Sequence, residues 1–222
     1  MDNLFDEVLN WINKSDKPVI IGISGHGAAG KTSFSTKLAR LIGLNEVSYI
    51  NTDPYIITSQ LRKYALIRYR YQNKNYYSKM TACHPDAHHT LSLERDIQMV
   101  KSGLDFYMIG THYSKSERIS PKKVAIIEGM SVAFVDPTLV DLKIYFYTDG
   151  ETELVRRVGR DIQERGTDIT TLHHSHKQRR IQYELFMHPY SQKFDIIIKN
   201  SNEEIWIEKS ILTNPVLPSE GH

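Results

Sequence analysis

Val19–Ile20–Ile21–Gly22–Ile23–Ser24 runs directly into Gly25–His26–Gly27–Ala28–Ala29–Gly30–Lys31–Thr32. A short apolar run of strand character therefore feeds a Gly-x-x-x-x-Gly-Lys-Thr loop, and Phe34, Leu38, Leu41 and Ile42 follow at helical spacing. Strand before and helix after is the context that a phosphate-binding loop requires. Glycines let successive backbone N–H groups turn inward around an anion, and the helix N-terminus adds its positive end. The spacing assigns Gly25 to Ser33 to nucleotide binding, puts Lys31 on the β- and γ-phosphates, and makes the Thr32 hydroxyl a Mg²⁺ ligand. A glycine-rich turn that merely precedes Lys and Thr would not need both flanking elements.

Working outward, Gly43 is suited to ending the helix, and Val47–Ser48–Tyr49–Ile50 reads as a second strand, ending in Asn51–Thr52–Asp53–Pro54–Tyr55. Residues just past the C-terminal ends of parallel strands line the ligand crevice. Asp53 is thereby expected to orient or deprotonate a hydroxyl acceptor of the γ-phosphoryl group rather than serve only as an Asp-Pro turn. Val124–Ala125–Ile126–Ile127–Glu128 is a continuous apolar strand ending in a carboxylate, as a buried parallel strand should be. Glu128 is read as the acid on the Mg²⁺ side. Leu142–Tyr147 and Phe194–Ile198 supply two more strands. Between them, Glu151 to Gly166 is an arginine-rich helix whose alternating charges suggest surface ion pairs for some members. Arg160 and Arg165 are expected to close over the transferring phosphoryl group.

Composition narrows the classes. The chain has 222 residues, 40% apolar, a net charge of +2 and a single cysteine, Cys83. Those values suit one α/β domain and give no electrostatic case for nucleic acid. A lone cysteine excludes an intrachain disulfide and fits a reducing, cytoplasmic setting. No apolar run approaches the roughly 20 residues that span a bilayer. Residues 1–15 lack a basic start and read as an amphipathic helix, with Leu4, Val8, Trp11 and Ile12 on one face. From Leu61 to Met80, six basic residues interleave with five tyrosines and no acid. This is read as a solvated, mobile segment over an anionic substrate in preference to a nucleic-acid platform. Cys83, His84, Asp86 and His88 do not make a structural zinc site, since Pro85 interrupts them and no second cysteine exists. His173, His174 and His176 lack the i, i+4 spacing of a helical zinc pair and are read as lid or surface histidines.

Taken in order, these pieces resemble the uridine kinase (uridine–cytidine kinase) family of P-loop kinases from about Ile20 to Ile198. Asp53–Pro54–Tyr55, His84–Pro85–Asp86–Ala87, the five-residue separation of Tyr107 and His112, and Ile127–Glu128–Gly129 carry the likeness. So does Arg156–Arg157–Val158–Gly159–Arg160–Asp161 followed by Glu164–Arg165–Gly166. The resemblance implies one domain over 1–222: a five-stranded parallel sheet flanked by helices, a small acceptor-binding arm at 56–115 and a lid at 156–180. It implies an ATP- and Mg²⁺-dependent kinase in which Asp53 is the base for a nucleoside 5′-hydroxyl, and Tyr55, Cys83, His84, Tyr107 and His112 face the substrate. A homo-oligomer is a further expectation, as family members often assemble. Cys83, Met108 and Thr167 stand where the family has Asp, Asp and Arg. A thiol is a poor replacement for a carboxylate that grips ribose hydroxyls. A kinase for another alcohol (pantothenate, a sugar phosphate, nicotinamide riboside) and a nucleotide-binding regulator without acceptor chemistry therefore stand as alternatives.

Overall fold

The computed structural model describes the backbone of residues 1–165, 169–202 and 204–212, and the side chains of all of these except 160–174. In chain order the helices are α1 (Asp2–Asn13), α2 (Lys31–Ile42), the single turn α3 (Ser59–Arg62), α4 (Thr90–Lys101), α5 (Gly150–Arg165) and α6 (Ile169–Gln182). The strands are β1 (Val19–Gly25), β2 (Val47–Asn51), β3 (Leu66–Tyr71), β4 (Lys74–Lys79), β5 (Phe106–Tyr107), β6 (Arg118–Ile119), β7 (Val124–Glu128), β8 (Leu142–Tyr147), β9 (Ile196–Ser201) and β10 (Glu204–Ser210).

The main sheet runs β10-β9-β8-β1-β7-β2. The five strands from β9 to β2 are parallel, as expected, but β10 adds a sixth, antiparallel strand on β9. The fifth parallel strand also begins two residues later than the sequence pattern suggests. Asp195 precedes it instead, and its carboxylate accepts from the Lys143 N–H at 2.8 Å and pairs with the Lys143 ammonium at 3.0 Å.

Strand alternation sorts the apolar residues onto two faces. Ile21, Ile23, Ile126, Ile144 and Phe146 pack against Leu4 and Val8 of α1 and Phe34 and Leu38 of α2. Ile20, Ile50, Ala125 and Ile127 pack against Leu93, Ile97 and Val100 of α4. In α1, Phe5 is buried and stacks on Phe34 at 4.7 Å, while Trp11, expected on the inner face, is only partly covered. β1 lies between β7 and β8, and the connections after β1 (to β2) and after β7 (to β8) run in opposite directions along the sheet. That point is where ligands bind in open parallel sheets, and the Gly25–Thr32 loop emerges there.

The 61–80 stretch is not a loose segment. β3 and β4 form a hairpin closed by Gln72 and Asn73, both with left-handed φ (45° and 61°), the geometry of a tight hairpin turn. Gln182, fully buried at the end of α6, clamps the hairpin's exit. Its amide donates to the Lys79 carbonyl (2.9 Å) and to the Ser78 hydroxyl (3.2 Å), and its carbonyl accepts from the Thr81 N–H (2.8 Å).

Candidate active site

The loop at Gly25–Thr32 is held by contacts that dictate its residue types. At Gly25, φ is +136° and a Cβ would lie 1.8 Å from the Phe146 carbonyl oxygen, so only glycine lets β1 turn here beside β8. Ala28 takes a left-handed φ of 66°. The loop's outer wall is tied down by Arg156, which donates to the carbonyls of Ala28 (3.2 Å) and Asn200 (3.0 Å). Asn200 in turn donates to the Ala29 carbonyl (3.0 Å). A cavity of about 580 Å³ opens alongside, lined by Ala28, Lys31, Ser33, Arg156, Asn200 and, from α1, Phe5.

His26 plays a part the sequence reading did not assign. Its ring turns inward, 1% exposed, away from the mouth of the loop. The Thr148 N–H donates to Nε2 (3.0 Å) and Nδ1–H donates to the Gly27 carbonyl (2.8 Å), which selects one neutral tautomer. Burial pushes this histidine down to about 4 against the pull of Glu153. Only its backbone faces the loop interior, accepting from Lys31 Nζ at 3.0 Å.

Behind the ring lies a buried charge cluster. Glu153 is 1% exposed and sits 3.6 Å from His26 Nδ1, 3.8 Å from Arg157 Nη1 and 3.3 Å from Arg180 Nη1. Surface ion pairs are therefore the wrong description for this part of α5: Glu153 and Arg157 are interior, and they bind α5 to α6 beneath the loop. Their i, i+4 spacing was the available signal. His176, read as a lid or surface residue, is half-buried beside the same cluster, and burial lowers its pKa. The side chains of Arg160, Arg165, His173 and His174 lie outside the described residues.

On the other side of the loop, Lys31, Thr32, Glu128 and Asp53 come together. Lys31 Nζ is 3.9 Å from Glu128 Oε1, and the Thr32 hydroxyl donates to Glu128 Oε2 at 3.3 Å. Tyr49 donates to the same oxygen at 3.3 Å while sharing a 2.8 Å hydrogen bond with Ser35. Glu128 is 4% exposed, and burial raises its pKa against the pull of Lys31, with Asp53 adding to the rise. A hydroxyl and a carboxylate oxygen beside a phosphate loop form a hard donor pair of the kind Mg²⁺ takes, so these residues fit that ion.

Asp53 stands just past β2, and Asn51 of β2 is in register with Glu128 of β7. Close approach of the two strand ends depends on Gly129 (φ +144°), where a Cβ would fall 2.1 Å from the Thr52 hydroxyl. The Thr52 N–H donates to the Glu128 carbonyl at 2.8 Å. Asp53 itself is exposed, and its carboxylate has no hydrogen-bond partner among the described residues. Two residues hold the turn from outside. Tyr113, missed by the sequence reading because it sits in an irregular loop, donates to the Asp53 carbonyl at 3.0 Å. His88 bridges the Ala82 carbonyl (2.9 Å) and the Ser131 hydroxyl (2.8 Å), and Ser131 contacts the Thr52 carbonyl (3.4 Å).

The expected substrate contacts separate into two groups. Tyr55 and Cys83, both expected to face the substrate, are 0% exposed. The Tyr55 hydroxyl donates to buried Asp96. The Cys83 thiol packs with Met130, Tyr145, Tyr183 and Met187, and burial raises its pKa. His84 is half-buried against Phe186, and Met108 is also interior. Tyr107 is 65% exposed, and exposed His112 packs edge-on against Tyr113, 4.9 Å between centroids, which places His112 one residue from the Asp53 turn.

Comparison with known proteins adds the following. The family model described as "Phosphoribulokinase / Uridine kinase family" matches residues 20–205. A uridine kinase of Ligilactobacillus salivarius is 30% identical over 86% of this chain and 89% of its own. One from Lactobacillus helveticus is 29% identical over 86% and 91%. Among solved structures, a D-glycerate 3-kinase of Cryptococcus neoformans aligns with a TM-score of 0.60 at 13% identity, covering 94% of this chain and 98% of that one. A phosphoribulokinase of Rhodobacter spheroides aligns with a TM-score of 0.59 at 18% identity, covering 83% and 71%. These two likenesses speak to the fold alone. No helix among the described residues is long and apolar enough to cross a membrane.

Proposed function

The chain belongs to the phosphoribulokinase/uridine kinase family of ATP-dependent small-molecule kinases, and on that premise we propose that it transfers the γ-phosphoryl group of ATP to the hydroxyl of a small alcohol held over Asp53. The observation that carries this reading is the pairing of Asp53 and Glu128 at adjacent strand ends, with Lys31 and Thr32 between them and the phosphate loop. Two carboxylates so placed have different environments and different tasks. Glu128, buried and bonded, holds the metal side; Asp53, exposed and with no hydrogen bond to its carboxylate among the described residues, takes the acceptor proton.

Family membership implies ATP and Mg²⁺, and Thr32 and Glu128 are the residues that would hold the ion. Bound there, Mg²⁺ supplies neutralisation of charge on the β- and γ-phosphoryl oxygens. Lys31, steered by its bond to the His26 carbonyl, adds a fixed positive charge at the same place. The loop's inward N–H groups orient the phosphates, and Asp53 aligns the acceptor oxygen in line with them. Positioning and charge neutralisation then account for most of the acceleration.

The curated relatives are uridine kinases, which favours a nucleoside 5′-hydroxyl as the acceptor. One observation favours another alcohol. Cys83, at the position where the family's ribose-gripping carboxylate precedes His-Pro-Asp-Ala, is sealed in the core. The test is ADP release across nucleosides, sugars, sugar phosphates, pantothenate and nicotinamide riboside, with Asp53→Asn as control. Turnover should fall about 10²–10⁴-fold in that variant while ATP affinity holds. Undiminished turnover would remove Asp53 from the chemistry.

A further inference from the structure

The metal side of the site carries a row of hydroxyls that ion binding alone does not need. Tyr49 lies on the face of β2 that packs against α1 and α2, where its ring is partly covered. A phenylalanine would pack there equally well, so the hydroxyl calls for a separate account. Tyr49 is in register with Ile126, two residues before Glu128 and on the same face of β7, and its long side chain meets the acid from the neighbouring strand. The hydroxyl stands 3.3 Å from Glu128 Oε2, the oxygen that the Thr32 hydroxyl also reaches at 3.3 Å. Behind it Ser35, fully buried on α2, lies 2.8 Å from the Tyr49 oxygen and 3.1 Å from the Thr32 carbonyl oxygen.

Four oxygens thus stand in a row: the Thr32 carbonyl, Ser35, Tyr49 and Glu128 Oε2. The carbonyl and the carboxylate at the two ends only accept, and each hydroxyl between them carries one proton. Two protons cannot fill three links. The Ser35–Tyr49 link is the shortest and keeps a proton, so both hydroxyls point the same way along the row. A carboxylate attracts a donor more strongly than a carbonyl does. The row accordingly runs from Ser35 through Tyr49 to Glu128, and the Ser35 proton polarises the Tyr49 hydroxyl toward the acid.

We infer that Tyr49, oriented by Ser35, is a positioning residue for the divalent ion: it fixes the Glu128 carboxylate in one orientation and so sets how tightly Thr32 and Glu128 hold that ion. This deepens the kinase reading above and rests on its assignment of those two residues. Two donors on Oε2, arriving from β2 and α2, hold the carboxylate against rotation, whereas Thr32 alone leaves it a pivot. Groups that orient a metal-binding carboxylate in this way typically carry about 10–100-fold in ion affinity.

The experiment is an EPR titration of Mn²⁺, which takes the same oxygen ligands as Mg²⁺, into the full chain holding a non-hydrolysable ATP analogue, with protein in excess. Calorimetry of the same analogue in EDTA reads nucleotide affinity without the ion. Tyr49→Phe keeps the ring and should weaken Mn²⁺ binding about 10–100-fold while affinity in EDTA stays within about twofold of the parent. Ser35→Ala should weaken the ion by less. The double variant should be no weaker than Tyr49→Phe alone, because Ser35 acts through Tyr49. Mn²⁺ affinity within about twofold of the parent in Tyr49→Phe would overturn the inference. So would a loss that appears equally in EDTA, since Tyr49 would then support the loop and nothing more. Losses that simply add in the double variant would overturn the part given to Ser35. Glu128→Gln separates this inference from the reading beneath it. If that variant binds Mn²⁺ like the parent, the assignment of the metal side falls and this inference falls with it. If it weakens the ion while Tyr49→Phe does not, only the inference falls.

Discussion

Replacing Glu153 with Ala removes a carboxylate that is 1% exposed and shared by Arg157, Arg180 and His26. Arg157 is itself only 5% exposed, so the variant withdraws a carboxylate from cationic charge in the interior. Removing one partner of a buried ion pair costs about 3–5 kcal/mol, because the survivor keeps its desolvation penalty. For a chain of 222 residues each kcal/mol lowers Tm by about 2–4 °C, so Glu153→Ala should melt roughly 6–20 °C below the parent. Calorimetry at pH 7.5 and low salt reads this directly. The cluster also props the His26 ring from behind, so nucleotide affinity should weaken along with stability. A double-mutant cycle with Arg180→Ala should return a coupling of about 1–3 kcal/mol. A Tm within 2 °C of the parent would refute the reasoning, since it would mean that the interior accommodates Arg157 and Arg180 without Glu153 at no cost.

Other perturbations follow from the same geometry. His26 and His88 are held neutral, each pushed down to about 4 from an ordinary value near 6.5. His26 faces Glu153, Arg180 and Lys31, and His88 faces Arg62, His84 and His89. Their folded values are depressed, so the stability they contribute is complete above pH 6.5 and drains as pH falls toward 4, by up to about 3 kcal/mol each. Urea midpoints should drop steadily from pH 7 to pH 5, and His88→Asn should flatten the slope; a midpoint independent of pH would contradict this. Gly25→Ala must push a methyl into the Phe146 carbonyl at a left-handed φ, and should lose nucleotide binding and several degrees of Tm. Gly27→Ala, with nothing within 4 Å of the added Cβ, should keep its stability within about 0.5 kcal/mol. Leu38→Ala empties a fully buried position between α2 and the sheet and should cost about 2–5 kcal/mol by chemical denaturation without changing acceptor preference.

The parallel core was legible because its signals are local. Four of its five strands lie within a residue of where apolar runs bounded by turn residues put them, and the phosphate loop declares itself by spacing. Asp53 and Glu128 could be brought together from sequence because both stand at strand ends, where register does the positioning. The hairpin was less readable. Ile67, Tyr69 and Tyr71 alternate inward with period two, yet the closing Gln72–Asn73 carries no glycine, and the density of charge reads as solvated. β10 was missed because its side chains are exposed or nearly so on both faces, which leaves no alternation to detect. The roles of Glu153, His26 and Gln182 were out of reach for a different reason. A polar side chain in an amphipathic segment looks solvent-facing until the partners that surround it are known, and these partners come from elements up to 127 residues away.

The strand order has a consequence for how the chain is made. Both hydrogen-bonding neighbours of β1 lie far downstream: Val19 pairs with Val124, and Ile21 with Leu142. At synthesis rates of about 5–20 residues per second, Val19–Gly25 waits roughly 5–20 seconds for its first partner strand to emerge. Of the helices made in that interval, α1 and α2 cover one side, with Leu4, Val8, Phe34 and Leu38 packing on the Ile21–Ile23 face. Ile20, on the opposite face, is covered only after α4 and β7 have left the ribosome. The segment that shapes the phosphate loop is thus also the nascent chain's longest-exposed adhesive surface, and α1 shields half of it from the start.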